Sequence, residues 1–587
     1  MHVVLTREPR GTVRVHDVAT RGTSDTTVPA ADLPALVADA EGGARGGGVV
    51  PRWTWDDTNR WYPGLLRAGV RVERSHDLRL VHRILRHSTA TEGSELAASP
   101  SGAWDTMAPT PAGTAPPVGA RRAPQGEALF DLAAPAPSAP APQGAGVVDP
   151  VAELRRQEDA VRGSKAPGRL RLLAAGESAG ALVAAEMHHA GLPWRADVHD
   201  AILTEALGPR PPEGQRPALL EALVGRIRAA LDAPPSLNPD SHPDLLKAMQ
   251  YAGVGARSLR KWELEKLDHP VVAPLLEYKN LYRLLTANGW HWLDEWVTDG
   301  RFRTEYVVGG VVTGRWASTG GGALQLPKGV RRAVVADPGW CLVVADVAQL
   351  EPRVLAGMAG DEAMATAGRA GDLYAGIVAS GVVPTRELAK VGMLGAMYGG
   401  TTGASAQVLP RLGREYPRAI ALVEEAARTG ERGGVVTTWL GRSSPAPGSA
   451  WDEAQAGAFA DDAGADAAAR ARSATRSWGR FTRNFVVQGT AAEWALCWLA
   501  SIRRRLWALG VAEGVRPGLA PAPFADRPHL AFFLHDEVVV HAPRELAAAV
   551  AAEVRAAAEE AGRLLFGDFP VDFPLTVAAV DSYADAK

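Results

Sequence analysis

A chain of 587 residues, 46% of them apolar, can bury several cores, and its net charge of -3 excludes a uniformly basic coat for nucleic acid while permitting a local positive cleft. Two cysteines, Cys341 and Cys497, lie far apart beside apolar residues, which excludes a disulfide-stapled scaffold and fits reduced thiols. No leader opens the chain and no uninterrupted apolar run reaches about 18 residues, so a soluble intracellular protein without a membrane partner is expected.

Residues 1–96 alternate short strands and helices. Strands are predicted at 1–6 and 12–18, a helix at 32–41, the approach to a helix over 52–70 and an amphipathic helix at 76–87. Asp39 and Glu41 follow a helix-like run and precede a Gly-rich loop, which places both on solvated surface. Asp57 or Thr58 reads as a helix cap. Residues 97–150 are rich in Pro, Ala, Gly and Ser, most of all 134–146, and cannot bury enough apolar surface to offset ordering. They read as a linker with one ordered turn at 127–132, a Pro-rich docking motif being the sharper alternative. From 151 to 299 the spacing is helical, and Lys279 and Arg283 lie on a polar edge that meets either phosphates or water.

The stretch 305–327 is glycine-rich and carries Arg315 and Gln325. Both side chains can donate to the minor groove, where every base pair presents acceptors in similar places. Next, the apolar run 342–345 predicts a buried strand ending on Asp346, with a helix from near Glu351 and Pro352 in its first turn, where a missing N–H costs nothing. A lone Asp there is ordinarily satisfied by a backbone amide or an Arg. A second strand, 529–534, is followed by His535, Asp536 and Glu537 and then by 538–541, which puts Asp536 at the bend of a hairpin. Two carboxylates on rigid strand ends suit a pair of divalent metals about 3.5–4 Å apart.

Between these acids, Arg386, Lys390, Leu394 and Tyr398 recur every four residues and share one helical face. Two cations, an apolar side chain and a phenol in that order suit triphosphate oxygens and then a base; the alternative is a solvated basic face with a core Tyr. Arg480, Asn484 and Gln488 share another face at the same spacing, either as donors to bases and phosphates or as ordinary polar surface. Residues 448–477 read as an Ala- and Asp-rich surface insertion and 517–529 as a Pro-rich loop. A long amphipathic helix (544–566) and a terminal strand (571–583) close the chain.

Five of these segments carry a resemblance, in chain order: TGRWAS with LQLP after it (Arg315, Gln325), DVAQLEPRV from Asp346, RELAKVGMLGAMYG from Arg386, RFTRNFVVQGTAAE (Arg480, Asn484, Gln488), and HDE with Asp536 central. Through them residues 168–587 resemble the family A DNA polymerases, of the DNA polymerase I type. The resemblance implies an α/β multidomain fold: a right-hand polymerase over 151–587, with thumb about 168–300, palm about 301–361 and 475–587, and fingers about 362–474. It also implies a small α/β ribonuclease H-like exonuclease-type domain at 1–96, joined by the linker 97–150.

What the resemblance implies for chemistry is template-directed nucleotide addition to a primer 3′ end. The catalytic residues would be Asp346, Asp536 and Lys390, with two Mg²⁺ ions on Asp346 and Asp536 and Glu537 in support. Arg386, Lys390, Leu394, Tyr398, Glu351 and Gln349 would bind the nucleotide, Glu351 and Tyr398 forming the steric gate against a ribose 2′-hydroxyl. Arg315, Gln325, Arg480, Asn484, Gln488 and His535 would hold DNA. Primer-template DNA and deoxynucleoside triphosphates are the implied partners, of a monomer in the bacterial cytoplasm at the nucleoid.

The departures are specific. Leu394 stands where the family has Phe or Tyr, and stacking on an aromatic is worth about 1–3 kcal/mol, so weaker nucleotide binding or altered sugar discrimination is expected. Val347 and Ala348 replace Tyr-Ser, and Pro352 replaces an aliphatic residue. The family's exonuclease needs four acids around two metals, the first two as Asp-x-Glu ending the first strand, and that strand carries no acid pair here. Asp56, Asp57 and Asp77 are candidate remnants, so an exonuclease-like fold without proofreading is expected. A bifunctional exonuclease and polymerase, and a catalytically impaired DNA-binding protein, are the competing readings.

Overall fold

The computed structural model describes residues 1–586 except 20–21, 46–47, 112–147, 321, 323, 325, 370, 401–402, 459–464 and 513. The ordered turn expected at 127–132 lies outside the described residues. In the N-terminal unit five strands, β1 (His2–Glu8), β2 (Thr12–Ala19), β3 (Gly22–Pro29), β4 (Arg52–Trp55) and β5 (Arg74–Asp77), form one sheet in the order β3-β2-β1-β4-β5. β1 pairs antiparallel with β2 and parallel with β4, as the α/β expectation requires. Strand β3 was not predicted, because its Thr-rich run lacks apolar alternation.

Residues 52–55, expected to lead into a helix, are instead the buried strand β4. Its two tryptophans alternate with Arg52 and Thr54, a period-two signal hidden by the helix that follows at once. Helix α1 (Leu33–Arg45) packs on this sheet, while α2 (Thr58–Arg67) and α3 (Leu78–His87) start on the side chains of Asp57 and Asp77. Beyond α3, Trp104 is buried against Val4, Leu78 and Leu154, so the first part of the Pro-rich stretch is anchored to this unit. The anchor's far side is α4 (Pro150–Arg162), followed by α5 (Pro167–Ala190).

Helices Ala196–Leu207, Ala218–Ala230, His242–Tyr251 and Val272–Asn288 enclose a core of their own. After a short hairpin of β6 (Glu305–Val307) and β7 (Ala317–Gly320), the main sheet is built from β8 (Trp340–Val347), β9 (His529–Leu534), β10 (Glu537–Pro543) and β11 (Leu575–Val580) in the order β9-β10-β8-β11. All its pairings are antiparallel. β8 and β10 read as nearly unbroken apolar runs because helices cover both faces of this sheet.

Between β8 and β9 run α6 (Leu350–Ala359), α7 (Arg386–Tyr398), α8 (Pro417–Glu431) and α9 (Ala465–Ala508), and α10 (Ala547–Phe566) follows β10. The segment 465–477, expected as part of a surface insertion, is the first stretch of α9. By length and composition α9 could cross a membrane, yet 83% of its most apolar window is buried inside the protein, where it forms the spine of the core with Trp494 and Trp498. Gly180 on α5 lets the two helices meet, since a Cβ there would stand 2.6 Å from Leu496.

Candidate active site

β8 delivers Asp346 and the β9–β10 turn delivers Asp536. Asp346 lies opposite Glu537 in the register, and the Val347 N–H donates to the Asp536 carbonyl at 3.0 Å. Both aspartates therefore sit at the same end of the two central strands, and both are only partly buried. The turn needs a left-handed residue, and His535 takes it with φ 59°. His535 is open to solvent, yet desolvation by its surroundings, then Arg315, holds its imidazole below the ordinary value. Glu537 is buried; its carboxylate accepts from the Tyr583 hydroxyl and stands 3.6 Å from Arg331.

On α7 the predicted face is real and graded. Thr385 caps the helix, Arg386 and Lys390 are exposed, and Leu394 and Tyr398 are half-buried against the core of the surrounding helices. Arg386 Nε donates to Asp372 Oδ2 at 2.6 Å and lies over the Tyr374 ring, while Lys390 has no ion pair among the described residues. Asp372 and Tyr374 were not foreseen; an Asp beginning a short helix shows in sequence only as a cap.

Three predicted residues from three other elements gather about Glu351 at the start of α6. Its carboxylate accepts from Arg315, on the β6–β7 loop, and from the Tyr398 hydroxyl, and the Gln488 side chain on α9 also bonds Tyr398. Burial first, then the neighbouring Glu351, raises the Tyr398 phenol, so it remains a donor at neutral pH. Arg480 lies over Gly399, whose φ of +72° ends α7 and where a Cβ would stand 2.8 Å from the Arg480 Cγ. Asn484 is buried, with its Oδ1 unpartnered among the described residues. Gln325 lies outside the described residues. Lys279 of the polar edge donates to the Leu259 carbonyl, and Arg283 is exposed.

Gln349 adopts φ 50° three residues after Asp346, and its side chain turns inward: Oε1 accepts from the Leu373 N–H and Arg353 Nη2, each at 3.2 Å. Arg353 is one residue that sequence reasoning missed. Buried on α6, it donates to the carbonyls of Ala348, Gly368, Gly371 and Asp572, pinning the loop that follows the first aspartate. Arg483 was missed too; it ties α9 to the Ala396 carbonyl of α7 and to Glu424 of α8.

In the N-terminal unit the acids are engaged structurally. Asp56 accepts from Trp61 Nε1 at 2.7 Å and pairs with Arg60, Asp57 caps α2 and pairs with Arg79 at 3.0 Å, and Asp77 caps α3 while accepting twice from Thr58. Burial, opposed by Arg79, pushes Asp77 up to about 6. Glu41, expected on the surface, is buried and accepts from Trp53 Nε1 at 2.9 Å, because α1 turns that residue toward β4.

A family model described as DNA polymerase family A matches residues 244–583. The chain belongs to that family. It is 28% identical over 356 residues to the thermostable DNA polymerase I of Thermus filiformis, covering 55% of this chain and 37% of that protein. With the DNA polymerase I of Chloroflexus aurantiacus it shares 28% over 383 residues, 60% of this chain and 35% of the other. It thus spans little more than a third of the length of these curated relatives. The POL domain of Pol1 from M. smegmatis, solved in complex with DNA primer-template and dNTP, matches all of this chain and 95% of that one with a TM-score of 0.63 at 15% identity, a likeness of fold.

Family A polymerases use divalent metal ions. Among the described residues no group of three or more His, Cys, Asp or Glu gathers into a metal cage. The partly exposed carboxylates of Asp346 and Asp536 nevertheless fit a hard divalent ion of the kind held by one or two carboxylates and completed by water and substrate oxygens.

Proposed function

We propose that this family A chain is a template-directed DNA polymerase, adding deoxynucleotides to a primer 3′ end, with primer-template DNA and deoxynucleoside triphosphates as its partners. The observation that carries the reading is the register that sets Asp346 and Asp536 side by side at one end of the central strands. Asp346 and Asp536 would hold two Mg²⁺ ions, which when bound supply charge neutralisation and Lewis acidity for phosphoryl transfer.

The chain's own side chains do the rest. Lys390, exposed and without an ion pair among the described residues, meets the β- and γ-phosphates and has a proton to give the leaving pyrophosphate; Arg386, one turn earlier, shares its charge with Asp372. Glu351 and Tyr398 form a braced wall against a 2′-hydroxyl, and Gln349 supports the loop behind it. Arg315, Gln325, Arg480, Asn484, Gln488 and His535 grip DNA, and Glu537 stiffens the strand end. Palm, fingers and thumb follow the boundaries expected above, in a monomeric enzyme of the bacterial cytoplasm.

The N-terminal unit, in this reading, is exonuclease-like without proofreading, since Asp56, Asp57 and Asp77 are engaged in caps and Arg pairs and β1 has no acid pair. Impaired catalysis is not favoured: the Val347 side chain lies in the core and only its backbone faces the site.

Primer extension with single nucleotides tests the assignment. Asp346→Asn and Asp536→Asn should each abolish incorporation while duplex affinity stays within about tenfold, and unimpaired extension by either variant would overturn it. Incubation of a labelled duplex without nucleotides should leave the 3′ end intact in the wild type.

A further inference from the structure

Alternation along the parallel strands of the N-terminal sheet puts His2 of β1, Arg52 and Thr54 of β4, and Arg74 and His76 of β5 on one face at paired register positions. Four basic-type side chains from these three strands thus share this face. The acids Asp56, Asp57 and Asp77 do not: Asp77 alternates to the opposite face, and the other two lie beyond the end of β4.

Helices α4 and α5 roof part of the basic face and leave a cavity of about 280 Å³. His2, Arg52 and His76 line it from the sheet, Gln157 from α4 and Arg171 from α5, with Val161 and Ala174 in an apolar wall. The positions of these groups are held. His2 Nδ1 bonds Thr54 Oγ1 at 2.8 Å, His76 Nε2 bonds Gln157 Oε1 at 2.8 Å, and Arg52 Nη1 donates to the Ser75 carbonyl at 3.1 Å. Arg171 is exposed at the rim, with no hydrogen bond or ion pair among the described residues. Glu158 is the only acid among the described lining residues, 3.7 Å from His2, and the Arg162 beside it is paired with Asp159.

We propose that this cavity binds a phosphate dianion, free or as the terminal group of a small ester no larger than a mononucleotide. Guanidinium forks match phosphate oxygens, and here Arg52 and Arg171 approach from opposite walls with one carboxylate to offset them. The volume lies at the small end of ligand pockets, and the apolar wall suits the body of an ester. Burial first, and for both rings the nearby Arg52, bring His2 down to about 3 and His76 to about 4, so both rings are neutral at pH 7 and the guanidiniums carry the charge.

Calorimetric titration of the full chain with orthophosphate, with dAMP and with adenosine tests this. At least one phosphate-bearing probe should bind saturably and adenosine should not, and comparison of the two phosphate arms identifies the source. Removing one guanidinium in Arg171→Gln should weaken that binding about tenfold or more, with primer extension unchanged as proof of folding. Lys390→Ala should leave it intact, which separates this cavity from the nucleotide face of α7. The proposal is overturned if no phosphate probe saturates, if Arg171→Gln and Arg52→Gln bind as the wild type does, or if Lys390→Ala abolishes the signal.

Discussion

Arg503 on α9 and Glu186 on α5 form a buried bidentate ion pair, with Nε 3.0 and 2.9 Å from the two carboxylate oxygens and Nη2 2.7 Å from Oε1. The same guanidinium donates to the carbonyls of Val72 and Glu73, and the Tyr62 hydroxyl donates to Glu186, so one arginine bolts the N-terminal unit to the helix that carries Arg480, Asn484 and Gln488.

Arg503→Gln therefore leaves the buried Glu186 carboxylate with the Tyr62 hydroxyl and with Arg71 at 3.6 Å, and removes the donor to two carbonyls. The expected loss is about 3–5 kcal/mol in denaturant unfolding, with a smaller loss when both partners become apolar residues of similar volume. Equal losses for the single and double replacements would overturn this expectation.

Glu351 braces Tyr398 and Arg315 at once. Glu351→Ala should raise the ratio of ribonucleotide to deoxynucleotide incorporation by roughly 10- to 100-fold, the discrimination a shaped wall provides. Single-nucleotide kinetics with matched triphosphates read this ratio directly, and an unchanged ratio removes Glu351 from sugar selection.

Leu394 is half-buried one turn before Tyr398. Leu394→Phe should lower the KM for the incoming nucleotide by about 5-fold or more, given a stacking worth of about 1–3 kcal/mol. A rise in KM would mean that Leu394 is fitted to its neighbours rather than a reduced stacking platform.

Glu493 is buried on α9, accepting from Thr438 and from the Leu440 N–H, and burial pushes it up to about 7. An acid whose folded pKa is raised binds its proton more tightly in the folded state, so its stabilising effect is complete below the unfolded value of 4.5 and fades as pH rises through about 7. Glu493→Gln should flatten the fall in stability between those limits and be more stable than the wild type at pH 8 by on the order of 1–3 kcal/mol. Parallel pH profiles of the two proteins would refute this assignment.

Local chemistry made Asp346, Asp536 and the α7 face legible in advance: an apolar run that stops on an acid, a two-residue bend between strands, and a four-residue repeat each leave a signature within a dozen residues. The cap at Asp57 was readable for the same reason. Strand β4 was misread because four residues hold too little of a period beside a strong helix. Only the tertiary structure decided that Asp346 lies opposite Glu537, that Arg315, Glu351, Tyr398 and Gln488 meet, that Arg353 pins the loop after Asp346 and that Glu41 is buried. Each of those facts joins segments distant in sequence, and such joins are selected by which apolar faces cover one another, a choice made by the whole core rather than by any stretch of chain.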